Sequence, residues 1–339
     1  MKLFLLGDFV SDNGPGNANK QIRDTLADAY ETEYSHASGK ISRIVEMYKG
    51  VRKADILLIC SKSKINYTAI NIAKRTRKKI IYLVHGCASY EAVIKNPFIS
   101  EEQLNAIKRY EAIVYDASDR IVCVSKSCMK FVQKQFPKYG NKMDYIYNVV
   151  DVNKIKNVCQ EKKYLRQGNK ILSVGGGMRR KNNLTIAKTI DKNFDNLEYI
   201  VVGDMLEDGE EIKKFGFVTW IRHLTHETLL QLMNETDLYI QNSTFETFGL
   251  AIIEALYAGC SLLVSQAVGC MELFETITDM DIIYDTSNEI EISEKIKYLL
   301  QNPNNRRLRH GFKVELISRK YQYSQWREII RKLSRGDGI

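Results

Sequence analysis

The feature that most restricts the fold of this chain is a repeated alternation of short apolar runs with longer amphipathic stretches. In the first 150 residues the apolar runs are 2–6, 54–60, 79–84, 120–124 and 144–147. Helix-like stretches lie between them at 20–30, 40–51, 66–77 and 101–118. Runs of strand length that are apolar on both faces need a cover on each face, and intervening helices supply it. The expected product is an α/β fold built on a parallel sheet. The pattern restarts at residue 170, with strands at 170–174, 197–202, 217–221, 237–241 and 261–265 and helices at 226–234, 250–258 and 289–301. A chain of 339 residues has room for two such cored domains.

Within the second repeat, residues 245–259 read FETFGLAIIEALYAG. Glu246 and Glu254 are eight positions apart, which on one continuous helix leaves them about 80° out of line. A helix start between them fits better: Thr247-Phe248-Gly249 as a turn, a helix over 250–258, and Gly259 as a left-handed stop. The backbone N–H groups of Phe248, Gly249 and Leu250 would then face outward at the helix start, where the dipole favours an anion such as a phosphate. Glu246 would sit on the loop beside that anion, placed to accept hydrogen bonds from hydroxyls. Glu254 lies in a helix that is otherwise almost wholly apolar, so it needs a ligand or a partner.

Three further loops follow strands, where ligands of parallel sheets bind. Gly175-Gly176-Gly177-Met178-Arg179-Arg180-Lys181 gives backbone access followed by positive charge, a setting shaped for a diphosphate. Asn13-Gly14-Pro15-Gly16-Asn17 is expected to be a loop that approaches a phosphate before a helix begins near Ala18. His85-Gly86 ends the strand at 79–84. Ser125 is expected to cap a helix reaching Tyr139, with Lys130, Lys134 and Lys138 on one face. Ser324 is expected to cap the last helix.

The net charge of +9 belongs wholly to the first 150 residues, which hold 24 Lys and Arg against 15 Asp and Glu, while the remainder holds 26 of each. Such asymmetry suggests an anionic partner for that half, such as a membrane surface. The stretch 74–79 and the helix from Lys126 are the sequence's candidates for the contact. A nucleic-acid partner would leave the Glu246/Glu254 pair unexplained. Neither glycine loop meets the G-x-G-x-x-G pattern of a dinucleotide dehydrogenase. The seven cysteines are scattered, without metal-ligand spacing, and read as small hydrophobes in a reducing compartment. No apolar run is long enough to span a bilayer, and the N-terminus lacks a signal-peptide pattern. The expected location is cytoplasmic, peripheral on the inner face of the cell membrane.

The motif over 246–259 resembles the Glu–seven residues–Glu signature of retaining glycosyltransferases of family 4, roughly E-x-F-G-x-x-x-x-E-A-x-x-x-G. Glu246, Phe248, Gly249, Glu254, Ala255 and Gly259 all match it. The resemblance implies a GT-B fold: two Rossmann-like domains with parallel sheets facing across a cleft, and a C-terminal helix crossing back to the first. It places an acceptor domain at 1–150, a donor domain at 151–320 and the returning helix at 321–339. The segment Tyr147-Asn148-Val149-Val150-Asp151 resembles the family's Pro-Asn-Gly-Val-Asp linker, with Tyr and Val in place of Pro and Gly. A polar approach, 153–169, follows it.

Carried over residue by residue, the resemblance implies that Glu246 holds hydroxyls of the donor sugar and Glu254 holds a nucleotide ribose. Lys181 would neutralise the leaving diphosphate, aided by the backbone around Phe248, Gly249 and Leu250. Gly14, Gly16 and His85 would lie beside the diphosphate and acceptor. The family's arginine position falls on Gly176, so Arg179 or Arg180 is expected to supply the missing charge. The implied reaction moves a sugar, with retention, from a UDP-sugar to an acceptor hydroxyl, such as that of a lipid-linked saccharide in bacterial polysaccharide synthesis. Neither a metal nor a cofactor is expected. Rivals on the same architecture are an epimerase or phosphorylase and a catalytically silent partner of another transferase.

Overall fold

The computed structural model describes residues 1–11, 14–37, 39–159 and 169–335. Asn13 of the first glycine loop, residues 160–168 of the polar approach and residues 336–339 lie outside the described residues. The chain forms two compact units. The first comprises Met1–Val93, Phe98–Val149 and the chain from Val314 on; the second is built mainly from Val150–Lys313.

The sheet of the first unit contains β1 (Lys2–Leu6), β2 (Glu31–Tyr34), β3 (Ile56–Ile59), β4 (Lys79–Val84), β5 (Arg120–Cys123) and β6 (Met143–Tyr145). All pairings are parallel, in the order β2-β1-β3-β4-β5-β6. The reversal of strand order puts a topological switch point between β1 and β3. Strand β2, ETEY, escapes sequence reading because it is an edge strand: half-exposed and polar, it never needed an apolar run.

The sheet of the second unit contains β7 (Lys170–Val174), β8 (Glu198–Val202), β9 (Val218–Ile221), β10 (Leu238–Gln241), β11 (Ser261–Ser265) and β12 (Ile282–Ile283). Its order, β12-β11-β10-β7-β8-β9, is again wholly parallel and has its switch point between β7 and β10. Ile171, Leu238 and Ile240 pack there with Ile186 and Ile190 of one covering helix and Ile292 and Ile296 of another. Each such side chain removed from water stabilises the unit by about 1.5–3 kcal/mol. These two strands are therefore core-anchored and carry the loops at their ends.

The structure corrects four sequence expectations. Gly14-Pro15-Gly16 is the first turn of the helix Gly14–Ala27 and not a free loop; proline is tolerated there because a first-turn N–H has no helical partner to lose. The helix from Lys126 stops at Gln135, ahead of Pro137, so Lys138 leaves the face of Lys130 and Lys134 and pairs with Asp116 at 2.8 Å. The last helix spans Arg319–Arg335, so Ser324 is interior and its hydroxyl donates to the Tyr321 carbonyl at 2.7 Å. The chain returns to the first unit at Val314, ahead of residue 321, and is fixed there by the buried Trp326, by Arg319–Asp28 at 2.7 Å and by Gln322 donating to the Tyr147 carbonyl at 3.3 Å.

Candidate active site

At the switch point of the second unit, the loops after β7 and β10 are tied together. Ser173 Oγ donates to the Ile240 carbonyl at 2.8 Å, locking the two strands. Beyond the strands, Thr244 N donates to the Arg180 carbonyl at 2.9 Å. Asn182 and Asn242, one from each loop, both donate to the Thr286 carbonyl, at 2.7 and 2.9 Å. The segment carrying Glu246 is held from its other side by a one-residue bridge to Val268, with Glu246 N donating to the Ala267 carbonyl and Gly269 N to the Glu246 carbonyl. Every backbone around the site is thus anchored at more than one point.

That scaffold brings Glu246, Lys181 and Arg180 together. Glu246 Oε2 accepts from Lys181 Nζ at 2.5 Å and from Arg180 Nη1 at 3.2 Å. Burial alone would raise the Glu246 pKa, but the two adjacent cations override it and hold the carboxyl at about 2. Burial pulls Lys181 the other way, below its usual value, with Glu246 opposing the fall. Glu246 is consequently a fixed anion at neutral pH, fit to accept hydrogen bonds and unfit to donate a proton. Arg179 is not part of this cluster. Its side-chain Nε pairs with Asp208 Oδ1 at 3.2 Å instead of with Glu246, and its backbone N–H donates to Glu207. Of the two arginines, only Arg180 reaches the cluster.

Gly176 also has a physical explanation. Its φ is +58°, and a Cβ there would stand 2.1 Å from the Asp204 carbonyl oxygen. The glycine loop and the turn at Gly203-Asp204 interlock backbone to backbone, with Gly175 and Gly176 N–H both donating to the Val202 carbonyl at the end of β8. No side chain fits at 176 in this backbone, arginine included.

The helix Leu250–Ala258 begins at Gly249, φ +98°, and ends at Gly259, φ +103°, as its sequence predicts. A Cβ at Gly249 would meet Ile252 at 2.7 Å and Val268 at 3.0 Å. Leu250 opens the helix at the surface of the loop cluster, whereas the Phe248 side chain is buried and packs inward. Phe248 therefore shapes the turn, and any contact it offers a ligand comes from its backbone. Glu254 has a partner that sequence reasoning missed: His226 Nε2 lies 2.8 Å from its Oε1. His226 is the first residue of the helix His226–Glu235, whose N-cap is Thr225. The preceding Trp220 packs against the core.

In the first unit, His85 follows β4 and its Nε2 lies 2.8 Å from Asn19 Oδ1. Burial lowers its pKa to about 4, so the imidazole is neutral. Asn19 is a second residue that sequence reasoning missed. It is buried on the helix Gly14–Ala27, and its Nδ2 donates to the carbonyls of Asp8, beyond β1, and of Cys60, beyond β3. It occupies the switch point of that sheet. Gly14 is exposed at the start of the same helix and Gly16 is buried beneath it. The only hint of Asn19 in the sequence is a polar residue on the inward side of an amphipathic helix.

Two Rossmann-type sheets, the second with a cationic, carboxylate-bearing cluster at its switch point, define a GT-B scaffold. A family model for "Glycosyl transferases group 1" matches residues 160–313, and one for "Glycosyltransferase Family 4" matches residues 21–154. The chain belongs to the family-4 type of glycosyltransferases. It is 23% identical over 266 residues to the Campylobacter jejuni N-acetylgalactosamine-N,N'-diacetylbacillosaminyl-diphospho-undecaprenol 4-alpha-N-acetylgalactosaminyltransferase, covering 75% of this chain and 68% of that protein. An uncharacterized 41.2 kDa protein in the cps region of Klebsiella pneumoniae is 22% identical over 241 residues, 66% of this chain and 62% of that protein. Among solved structures, sucrose-phosphate synthase from Thermosynechococcus elongatus superposes with a TM-score of 0.74 at 14% identity, covering 99% of this chain and 100% of that one. Anabaena HepE in complex with UDP and glucose gives 0.71 at 15% identity, covering 98% and 100%. At such identities these structures establish the fold alone.

Proposed function

We propose that this glycosyltransferase moves a sugar from a UDP-sugar to a hydroxyl of a lipid-linked saccharide, with retention at the anomeric carbon. The observation that carries the reading is the convergence of Lys181 and Arg180 on Glu246 at the switch point of the second unit. A diphosphate beside Lys181, Arg180 and the first turn of the helix Leu250–Ala258 would meet two cations and a positive helix end. Glu246, a permanent anion, would accept donor-sugar hydroxyls, and Glu254 a ribose hydroxyl. In the reaction the acceptor oxygen bonds to the anomeric carbon as the bond to the diphosphate oxygen breaks, and the acceptor's proton leaves with the diphosphate. His85, neutral at physiological pH, serves as a hydrogen-bonding group on the acceptor side. On this reading the protein's own cations carry the charge neutralisation without a metal. UDP in the HepE complex supports the choice of nucleotide, and the name of the C. jejuni relative supports a diphospho-undecaprenol-linked acceptor.

The first test is calorimetric titration with UDP and a panel of UDP-sugars, in the presence of a chelator. UDP should bind to the wild type, weaken at least about tenfold in Arg180→Ala and Glu254→Ala, and change little in Arg179→Ala. The anomeric configuration of a product, read by NMR coupling constants, then tests retention. The interlocked Gly176 favours one rival, a silent partner of another transferase. Failure of UDP and of every UDP-sugar to bind would sink the UDP-sugar reading and favour that rival.

A further inference from the structure

The helix Lys40–Lys53 of the first unit is apolar on two sides. Its inner side is explained by packing: Met47, Gly50 and Val51 are buried, and Gly50 lies so close to Phe4 that a Cβ would stand 2.3 Å from the ring. Its outer side is not. Ile41, Ile44, Val45 and Tyr48 are 80%, 49%, 46% and 46% exposed. The spacing i, i+3, i+4, i+7 makes them one continuous stripe along two turns. Scattered exposed hydrophobes are ordinary, but a whole stripe at helical spacing calls for an occupant.

Charge identifies the occupant. Residues 40–79 carry twelve Lys and Arg against two acids, Glu46 and Asp55. Both acids are turned to the backbone. Glu46 accepts from Ser35 Oγ and from the N–H groups of His36 and Ala37, and Asp55 accepts from Lys2 N at 2.8 Å. Lys49, Arg52 and Lys53 are exposed on the flank of the stripe, and Arg52 Nη1 donates to the Tyr48 hydroxyl at 2.7 Å. The neighbouring helix Ile65–Arg75 has no acid and ends in exposed Lys74 and Arg75.

We infer that this stripe is a docking surface for an anionic lipid bilayer. Ile41, Ile44 and Val45 enter the acyl boundary, Tyr48 sits at headgroup depth, and the flanking cations meet the lipid phosphates. The stripe is distinct from the stretches 74–79 and 126–139 that the sequence alone favoured, because neither of those presents exposed apolar side chains in a row. The inference does not depend on the sugar-transfer reading, and vesicle binding can be measured without any donor or acceptor.

The test is flotation of the full-length protein with vesicles of pure phosphatidylcholine and of phosphatidylcholine with 30% phosphatidylglycerol. Wild type should float with the anionic vesicles and not with the neutral ones, and high salt should release most of it. Ile44→Ser/Val45→Ser should lower binding at least about tenfold, and Lys49→Glu/Arg52→Glu should abolish it. Ile41→Ser, at the most exposed position, gives the same reading with one change should a double variant fold poorly by circular dichroism. Lys130→Glu/Lys134→Glu, on another helix, should leave binding within about twofold. A wild type that stays with the protein-only fraction overturns the inference. So does a stripe variant that binds undiminished, or a concentration-dependent dimer that the stripe variants dissolve while vesicles never bind.

Discussion

Asn19 fixes the tautomer of His85. The amide nitrogen of Asn19 donates to two backbone carbonyls, those of Asp8 and Cys60, so its oxygen must be the atom facing His85. Nε2 of the neutral imidazole therefore carries the proton, and Nδ1 keeps the lone pair. Because burial lowers the His85 pKa to about 4, the native state declines a proton that the unfolded chain accepts below pH 6.5. Stability from this group is complete above pH 6.5 and falls as pH drops through the window to about 4, by up to about 3 kcal/mol. Asn19→Asp should raise the His85 pKa by giving the imidazolium a counter-charge, and should narrow that window. Nitrogen-15 NMR of the imidazole across pH 4–8 reads both the tautomer and the shift; an Nδ1–H tautomer in the wild type would contradict the assignment.

The Glu246 cluster predicts a second acid sensitivity, of the same sign and at lower pH. Its native pKa of about 2 lies below the unfolded value of 4.5, so its stabilising effect is present above pH 4.5 and disappears as pH falls toward 2. Glu246→Gln removes the anion between two cations and leaves the buried Lys181 unpaired. The expected cost at pH 7 is about 3 kcal/mol, and the variant should lose less stability than the wild type between pH 4.5 and 2.5. Denaturant melts of both proteins at several pH values measure the difference. The same substitution should lower kcat/KM at least about a hundredfold if a sugar hydroxyl is held there.

Restoring the family's arginine should do harm. Gly176→Arg requires a side chain at φ +58° and a Cβ within 2.1 Å of a carbonyl oxygen. Strain and displacement together should cost about 3 kcal/mol or more, seen as a fall in Tm with no gain in UDP affinity. A variant of unchanged Tm that binds UDP more tightly would show that the loop, and not the sequence, is the adaptable part.

On the sugar-transfer reading, His226 acts as a positioning residue for Glu254. Its bond to Oε1 selects one rotamer of a side chain on an apolar helix and leaves Oε2 for a hydroxyl. His226→Ala should weaken UDP binding about three- to tenfold and raise KM with little change in kcat, because the lost interaction is the same in ground and transition states. His226→Gln, which can still donate, should recover most of it. An equal loss in both variants, tracking a fall in Tm, would mark His226 as packing alone.

Much of this molecule was legible along the chain. The alternation of apolar runs and helices foretold two parallel sheets. The sequence Gly249…Gly259 marked both ends of the helix Leu250–Ala258, since each glycine adopts a φ that other residues resist. Those signals are local, set by neighbours within a turn or by the side-chain period of a strand. The partners of the charged groups are not local. Glu246 and Lys181 are 65 positions apart, and Arg180 rather than Arg179 faces them because a short 3-10 turn points successive side chains in different directions. Likewise Glu254 and His226, or Asn19 and His85, meet only once strand order has placed the elements that carry them side by side. The sequence alone determined which segments fold and where chemistry would concentrate. Tertiary structure decided which side chains meet, because that choice depends on the order of strands in a sheet, a property that no short stretch of chain carries.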